Sequence, residues 1–435
     1  MRIGLFTDTY RPTINGITFV VETLKHQLEA EGHVVYVFCP ARTIRPSKRA
    51  ETDEPNIIRF PSFRSGFFDD FDFTVFSPPS VLRQIGELDL DVVHIFTPSQ
   101  VGLIGIQAAV KHDIPFVVQH STDLYEFVEH YPSVLPGVLA LVGIIFPMTV
   151  KMKGKDVREI LRLYRPRAGV TKWNQEIISK GITLLYSKAD AVIVLCRKSR
   201  DQLKSWQTRQ YSYDLTLLPN GVNALPKPTK TALEDFRASW GLSQTDEVFG
   251  YVGRLGEEKN LAVLIRAFDK VIKSRPNAKL LFVGDFEYRA TLEAMAAQSR
   301  YGDRIVFTGA IAREQLGVAY AALDVYVFPS LKDTQGWVLH EAAHAGLPIV
   351  LTDRGVSEVV VEAENGYYAR NNATDFARKI VSLLGDTEKR AIFGEYSKRL
   401  AMQFTEQKQT KKLIKLYESA IVTRLDRKSE KHITR

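Results

Sequence analysis

Apolar residues along the chain fall into short, β-branched runs separated by stretches with helical spacing. In the first half the runs cover Ile3–Thr7, His33–Cys39, Val92–Phe96, Pro115–Gln119, Ala191–Leu195 and Leu215–Leu218. Amphipathic stretches such as Thr18–Ala30 and Gln100–Lys111 lie between them. The second half repeats the alternation, with runs at Val248–Val252, Leu280–Val283, Ile305–Phe307, Val325–Phe328 and Ile349–Leu351. A strand that is apolar at nearly every position has both faces buried, which is the condition of a parallel sheet covered by helices. Two such halves predict two doubly wound α/β domains. The turn Pro219–Asn220–Gly221 and the proline-containing run 222–232 suit a linker between them. In paired doubly wound domains, ligands gather where strand carboxyl ends face each other, so a cleft between the domains is the expected active site.

Composition narrows the class. The chain of 435 residues is 45% hydrophobic and 25% charged, which fits two or three globular domains and excludes disordered and fibrous proteins. Its two cysteines, Cys39 and Cys196, cannot form a disulfide framework or a Cys-rich zinc site. Each ends an apolar run, where a buried thiol is expected. The N-terminus, MRIGLFTDTY, soon turns polar, so a cytoplasmic location is expected.

The net charge of +8 is unevenly spread. Residues 42–49 hold four basic side chains and no acid, 151–172 eight against two, and 406–435 nine against four. Such patches point to an anionic partner or, more blandly, to solvated helix faces. No nucleic-acid-reading motif accompanies them, so nucleic acid is not an expected partner. Residues 133–150 carry no charge over 18 positions, but Pro136 and Pro147 weaken a transmembrane reading. The basic run that follows includes Lys151, Lys153 and Lys155. Together, 133–172 has the composition of an element lying in a membrane interface, with a buried core segment and a true span as alternatives.

Candidate chemistry follows the strands. After the first comes Asp8-Thr-Tyr-Arg-Pro-Thr-Ile-Asn-Gly16, where a glycine at a helix entrance lets an anion approach the backbone. Strand Pro115–Gln119 runs into His120, a strand-end position suited to a cleft residue or to a satisfied structural histidine. The first strand of the second half runs into Gly253-Arg254-Leu-Gly-Glu-Glu-Lys259, whose two cations can hold a diphosphate without metal, unless they pair with Glu257 and Glu258. No Asp-x-Asp cluster suited to Mg²⁺ follows a strand, so no metal is expected. The strongest signal is Asp333-Thr334-Gln335-Gly336-Trp337-Val-Leu-His-Glu341, ahead of Ala-Gly-Leu-Pro. Asp333 can accept from vicinal hydroxyls, and first-turn amides near Gly336 can bind sugar hydroxyls or phosphate. Glu341 lies among Val338, Leu339, Ala342 and Ala343, so it is expected to be buried and to need a partner; it could accept from both ribose hydroxyls. His340 and His344 share a helix face, but no third metal ligand is evident.

These residues resemble a retaining glycosyltransferase of the GT-B fold, family 4, over nearly the whole chain. The most specific part is the acid-x7-acid motif from Asp333 to Glu341, with the Gly-Arg-x4-Lys pattern at Gly253, Arg254 and Lys259 and the Asn-Gly-Val motif at Asn220–Val222. The family's first acid is usually Glu; Asp-Thr-Gln-Gly here resembles bacterial diacylglycerol glucosyltransferases. The acid that follows Asn-Gly-Val is replaced by Asn223, and only one of two N-terminal glycines, Gly16, is present.

The resemblance implies an acceptor-binding domain over 1–222, a nucleotide-sugar-binding domain over 233–403, and a C-terminal helix and basic tail over 404–435 that packs back on the first domain. It implies that a nucleotide sugar, UDP-linked and carrying glucose, meets a lipid acceptor such as diacylglycerol or a glycosyl-diacylglycerol at the cytoplasmic membrane face, without a required metal. The base would lie near Gly309–Ile311, the ribose on Glu341, and the diphosphate on Arg254 and Lys259 with Gly253 and Gly16. The hexose would meet Asp333, Thr334, Gln335, Gly336, Trp337 and His120. A family 4 transferase acting on a polysaccharide, phosphatidylinositol or a small soluble acceptor, and a GT-B sugar-nucleotide epimerase, remain open alternatives.

Overall fold

The computed structural model describes residues 1–13, 15–41, 56–64, 72–74, 79–121, 154–163 and 170–433. The basic run 42–49, the apolar run 133–150, Lys151 and Lys153 lie outside the described residues. The chain forms two α/β domains, one comprising Met1–Asn220 with Gln409–Arg435 and the other Gly221–Lys408.

Among the described residues, the first domain holds a seven-stranded sheet. Its strands are β1 (Arg2–Phe6), β2 (Val34–Pro40), β3 (Ile57–Phe60), β6 (Val92–Ile95), β7 (Phe116–His120), β8 (Ala191–Val194) and β9 (Leu215–Leu217), in the order β3-β2-β1-β6-β7-β8-β9. Every neighbouring pair is parallel. Two short strands, β4 (Ser62–Arg64) and β5 (Asp72–Thr74), form a separate antiparallel pair. The strands are buried on both faces: Ile3, Leu5, Phe6, Val92, Val93, Ile95, Val117 and Val118 have no accessible surface. That burial is what the uninterrupted apolar runs predict. Cys39 and Cys196 are buried thiols, as expected.

The second domain is a six-stranded, wholly parallel sheet. Its strands are β10 (Glu247–Val252), β11 (Ala278–Val283), β12 (Ile305–Phe307), β13 (Val325–Phe328), β14 (Ile349–Leu351) and β15 (Gly366–Tyr368), in the order β12-β11-β10-β13-β14-β15. Helix Ala262–Ser274 shows why the covering helices form. Val263, Leu264, Ala267, Phe268, Val271 and Ile272 recur at helical spacing and are buried against the sheet's core. In both sheets the strand order reverses once, between β1 and β6 and between β10 and β13, which places a crevice at the strand carboxyl ends.

The final helix, Glu406–Ile433, begins in the second domain and from Gln409 belongs to the first. Gln409, Leu413, Tyr417 and Ala420 form its buried stripe. The Tyr417 hydroxyl lies 2.6 Å from Nδ1 of His94, a strand residue that is fully buried and whose pKa burial pushes down to about 3. Arg424 reaches Asp113 at 3.0 Å and Asp190 at 3.4 Å. Within the second domain, the segment just after its first chain crossing is tied to the segment just before its second. Asn223 donates to the Glu406 carboxylate (2.7 Å) and accepts from its amide (3.1 Å), and Gly221 passes so close that a Cβ would lie 2.3 Å from Glu406 Cα. Only glycine fits that approach.

At the reversal of the first sheet, Asp8 follows β1 and accepts from the Val101 amide (2.8 Å), in the first turn of helix Gln100–His112, and from the Thr97 hydroxyl. It caps that helix across the crevice. Burial pushes its pKa up to about 6, with the two hydrogen bonds opposing the rise. The folded protein therefore holds this proton more tightly than the unfolded chain, and the stability so gained is present at low pH and lost as pH rises through about 6. Asp8→Asn keeps an acceptor for Val101 without the charge. Thermal unfolding should find the variant more stable than wild type at about pH 7.5, by up to roughly 3 kcal/mol, with the difference shrinking towards about pH 4. A variant less stable than wild type at every pH would show that the ionised form is the one the fold requires.

Candidate functional site

The crevice of the second domain is built by the loops after β10 and β13. After Val252 the chain turns at Gly253, with φ +145°, and its amide donates to Val283 (2.9 Å). A short 3-10 turn, Glu257–Lys259, follows, and Asn260 adopts the left-handed conformation that asparagine tolerates. The Asn260 side chain donates to the Pro329 carbonyl (3.2 Å) and to Asn371 (2.8 Å), so it ties the β10 loop to the β13 loop. The sequence alone marks no role for Asn260, because its partners lie 69 and 111 residues away.

Across this tie the Lys259 ammonium donates to Asp333 Oδ1 at 2.7 Å. Both side chains are mostly buried, at 15% and 17% exposure, so the pair is shielded from water. Local sequence suggested Glu257 or Glu258 as the structural partner of Lys259, yet Glu258 is 4.0 Å away and Asp333 is the short contact. Arg254 behaves differently. It is 53% exposed, pairs with Glu258 one turn on (2.6 Å), and stacks its guanidinium over Phe286 at 4.3 Å.

Beyond Asp333 the loop carries Thr334 and the buried Gln335 into Gly336. Gly336, at φ +63° and ψ +57°, is the N-cap of helix Trp337–His344. That conformation costs an L-residue about 1–2 kcal/mol. Glu341 lies on this helix and is 3% exposed. The expected need for a partner is met twice: the Tyr320 hydroxyl donates to Oε2 (2.8 Å) and Arg313 to Oε1 (3.1 Å). Burial raises the Glu341 pKa, while Arg313, Tyr320 and Trp337 oppose the rise. Neither Arg313 nor Tyr320 was singled out from sequence; they precede Glu341 by 28 and 21 residues in otherwise ordinary helical turns. Ile311 is half-buried in the loop after β12, whose Gly309 is at φ +76° and accepts from the Gly284 amide (2.9 Å).

The remaining candidates are in the first domain. Gly16 opens helix Gly16–Ala30, capped by Asn15 accepting from the Thr18 amide (3.0 Å). A Cβ at Gly16 would meet nothing within 4 Å, so packing does not demand glycine there. His120 ends β7, is 1% exposed and has Nδ1 2.9 Å from the Tyr186 hydroxyl. Lys155 is exposed on helix Gly154–Leu163, which is anchored by buried Asp156 through Lys188 (3.0 Å) and the Tyr211 hydroxyl (2.8 Å). Of the helical histidine pair, His340 is buried with Nε2 3.4 Å from the Ser357 hydroxyl, and His344 Nε2 lies 2.8 Å from the Val222 carbonyl. Among the described residues no group of three His, Cys, Asp or Glu side chains could hold a metal ion.

Two protein families match this chain: Glycosyltransferase Family 4 over residues 14–224, and Glycosyl transferases group 1 over residues 233–400. The chain is a GT-B glycosyltransferase of these families. It is 28% identical to the alpha-monoglucosyldiacylglycerol synthase of Acholeplasma laidlawii over 86% of this chain and 85% of that one. It is also 28% identical to the enzyme of the same name from Streptococcus pneumoniae, over 80% and 70%. Among solved structures it is similar to Anabaena HepE in complex with UDP and glucose, with a TM-score of 0.65 and 16% identity, covering 96% of this chain and all of that one. The last likeness concerns the fold. This glycosyltransferase is a hexosyltransferase.

The left-handed Gly336 sets where the Asp333 loop ends and the helix amides begin. Gly336→Ala would bring a Cβ to 2.7 Å from Leu339 Cδ1 as well as straining the backbone. Thermal unfolding should report a loss of about 1–2 kcal/mol, and nucleotide titration a weaker complex. Wild-type stability would mean that the helix start can be reset at no cost.

Proposed function

We propose that this enzyme transfers glucose, with retention, from UDP-glucose to a membrane lipid acceptor, diacylglycerol or a glycosyl-diacylglycerol, while attached peripherally to the cytoplasmic membrane face. The observation that carries the chemical part is the Lys259–Asp333 pair, which joins the two loops of the β10/β13 crevice, Asp333 lying on the loop that leads into the helix of buried Glu341. Cleaving a sugar–phosphate bond builds negative charge on the leaving diphosphate and positive charge on the anomeric carbon. A preplaced ammonium stabilises the former without reorganisation. Arg254, exposed one loop-length away, adds a second cation for the diphosphate, with Gly253 giving close backbone approach. Asp333 accepts from hexose hydroxyls, the segment Thr334–Trp337 presents the helix entrance to them, and Glu341 takes the ribose with the base near Ile311. The acceptor hydroxyl oxygen bonds the anomeric carbon as the bond to the diphosphate oxygen breaks, and the hydroxyl proton passes to the leaving phosphate.

The lipid acceptor is supported by the kinship to diacylglycerol-glucosylating enzymes. On helix Gly154–Leu163, Lys155, Arg158 and Arg162 are exposed together with Val157, at 45% exposure, which suits contact with an anionic leaflet. Among the described residues no helix is long and apolar enough to cross a membrane.

A panel of labelled UDP-glucose, UDP-galactose and GDP-mannose, offered with diacylglycerol vesicles and with soluble acceptors, tests the reading directly. Glucolipid formed from UDP-glucose supports it; transfer only to a soluble acceptor, or sugar-nucleotide epimerisation without transfer, defeats it. Lys259→Ala should lower turnover about 100- to 1,000-fold, with a smaller effect on donor KM, because the leaving group carries more charge in the transition state. Chelator should leave the wild-type rate largely intact.

Neutralising Lys151, Lys153 and Lys155 should reduce transfer in anionic vesicles more than transfer to a detergent-dispersed, short-chain acceptor. Each basic residue near such a surface contributes about 1 kcal/mol, and added salt should weaken vesicle binding. Equal loss in both assays would assign the segment a structural role only.

A further inference from the structure

A ribose-binding carboxylate has to accept from hydroxyls, and a protonated acid gives up part of that capacity. Glu341 is buried, and burial favours its neutral form. Among the described residues, the groups facing it come from four elements. Tyr320 donates from helix Leu316–Ala321, Trp337 acts from Glu341's own helix, and the buried phenol of Tyr326 lies on β13. Arg313 reaches in from the turn that follows Gly309–Ile311. Arg313 is the cation among them, and it also faces Glu406, whose carboxyl burial raises and this guanidinium lowers. A carboxylate offers about four lone-pair sites. Arg313 on one oxygen and Tyr320 on the other leave capacity on Glu341 for a ligand.

We propose that Arg313 is a positioning residue of the donor site: its guanidinium orients Glu341 and supplies the countercharge with which the buried carboxylate accepts the ribose hydroxyls. This rests on the reading that Glu341 takes the ribose. Arg313 acts through Glu341, so its loss shows most where Glu341 is closest to protonation. Removing the cation favours the neutral acid, and nucleotide affinity is then lost at a higher pH than in wild type. A lysine at the same place keeps the charge and restores much of the profile.

The test is calorimetric titration of the full chain with UDP, and in parallel GDP, between about pH 6 and pH 8. Wild type, Arg313→Met, Arg313→Lys and Glu341→Gln are compared, with Arg313→Gln held as a second neutral variant should the methionine protein fail to unfold cooperatively. Glu341→Gln is expected to weaken the tighter-binding nucleotide about tenfold or more. For Arg313→Met, the ratio of affinities between the two ends of the pH range is expected to exceed that of wild type by about tenfold, with Arg313→Lys close to wild type. If Glu341→Gln binds as wild type does, the ribose reading fails and the proposal with it. If Glu341→Gln is weakened but Arg313→Met follows the wild-type pH profile, the ribose reading stands and the proposal alone is overturned.

Discussion

In both sheets the strand order reverses once, and what surrounds that point follows from the reversal. Crossovers on one side of it cover one face, and those on the other side cover the opposite face. The carboxyl ends of the two central strands are left between them, uncovered by either set of helices. Backbone groups and loop side chains meet there, and they need partners that are far away in sequence. Asp8 with Val101 in the first sheet and Lys259 with Asp333 in the second are those partners, 93 and 74 residues apart.

The two reversals are chemically unlike. Asp8 is closed in by a hydroxyl and an amide, with pKa pushed up to about 6 by burial. It works as a helix cap held at an electrostatic cost. At the second reversal the acid meets an ammonium, and Asn260 ties the same two loops by hydrogen bonds to Pro329 and Asn371. One topology thus carries a closed polar cap in one domain and an ion pair in the other. Under the proposed function, the ion pair is what an anionic diphosphate and a hydroxylated sugar engage.

Much of this was legible in the sequence because parallel strands bury both faces and so write uninterrupted apolar runs. The eleven runs correspond to β1, β2, β6 to β9 and β10 to β14 within a residue or two at each end. Strands β3 and β15 were not anticipated: β3 is an edge strand of Ile57–Phe60 carrying Arg59, and β15 is the three-residue edge strand Gly366–Tyr368. Periodicity has little to work with in such pieces. Within the site, the buried acid at Glu341 was legible from its apolar neighbours, since a charge on a buried helix face demands a partner. Which partner was not legible. Arg313 and Tyr320 meet Glu341 only because β13 intervenes and returns the chain, and no local signal marks either residue. The replacement of the family's acid by Asn223 likewise made no sense locally. Its side chain is engaged with Glu406, 183 residues on, at the start of the final helix.

Arg254 and Lys259 sit five residues apart on one loop, and the sequence treats them as equivalent cations. Their surroundings make them different. The Arg254–Glu258 pair is more than half exposed on the arginine side, and an exposed pair of this spacing is worth only about 0.3–0.5 kcal/mol. Under the proposed reading, an incoming diphosphate takes Arg254 from Glu258 at little cost, and the Phe286 ring keeps the guanidinium plane in place meanwhile. Lys259 is shielded and held by Asp333, so it keeps its position whether or not an anion is near. Under the proposed reading, the arginine captures the diphosphate and adapts to it. The lysine is fixed before the substrate arrives, which is the condition for stabilising charge that appears only as the bond breaks.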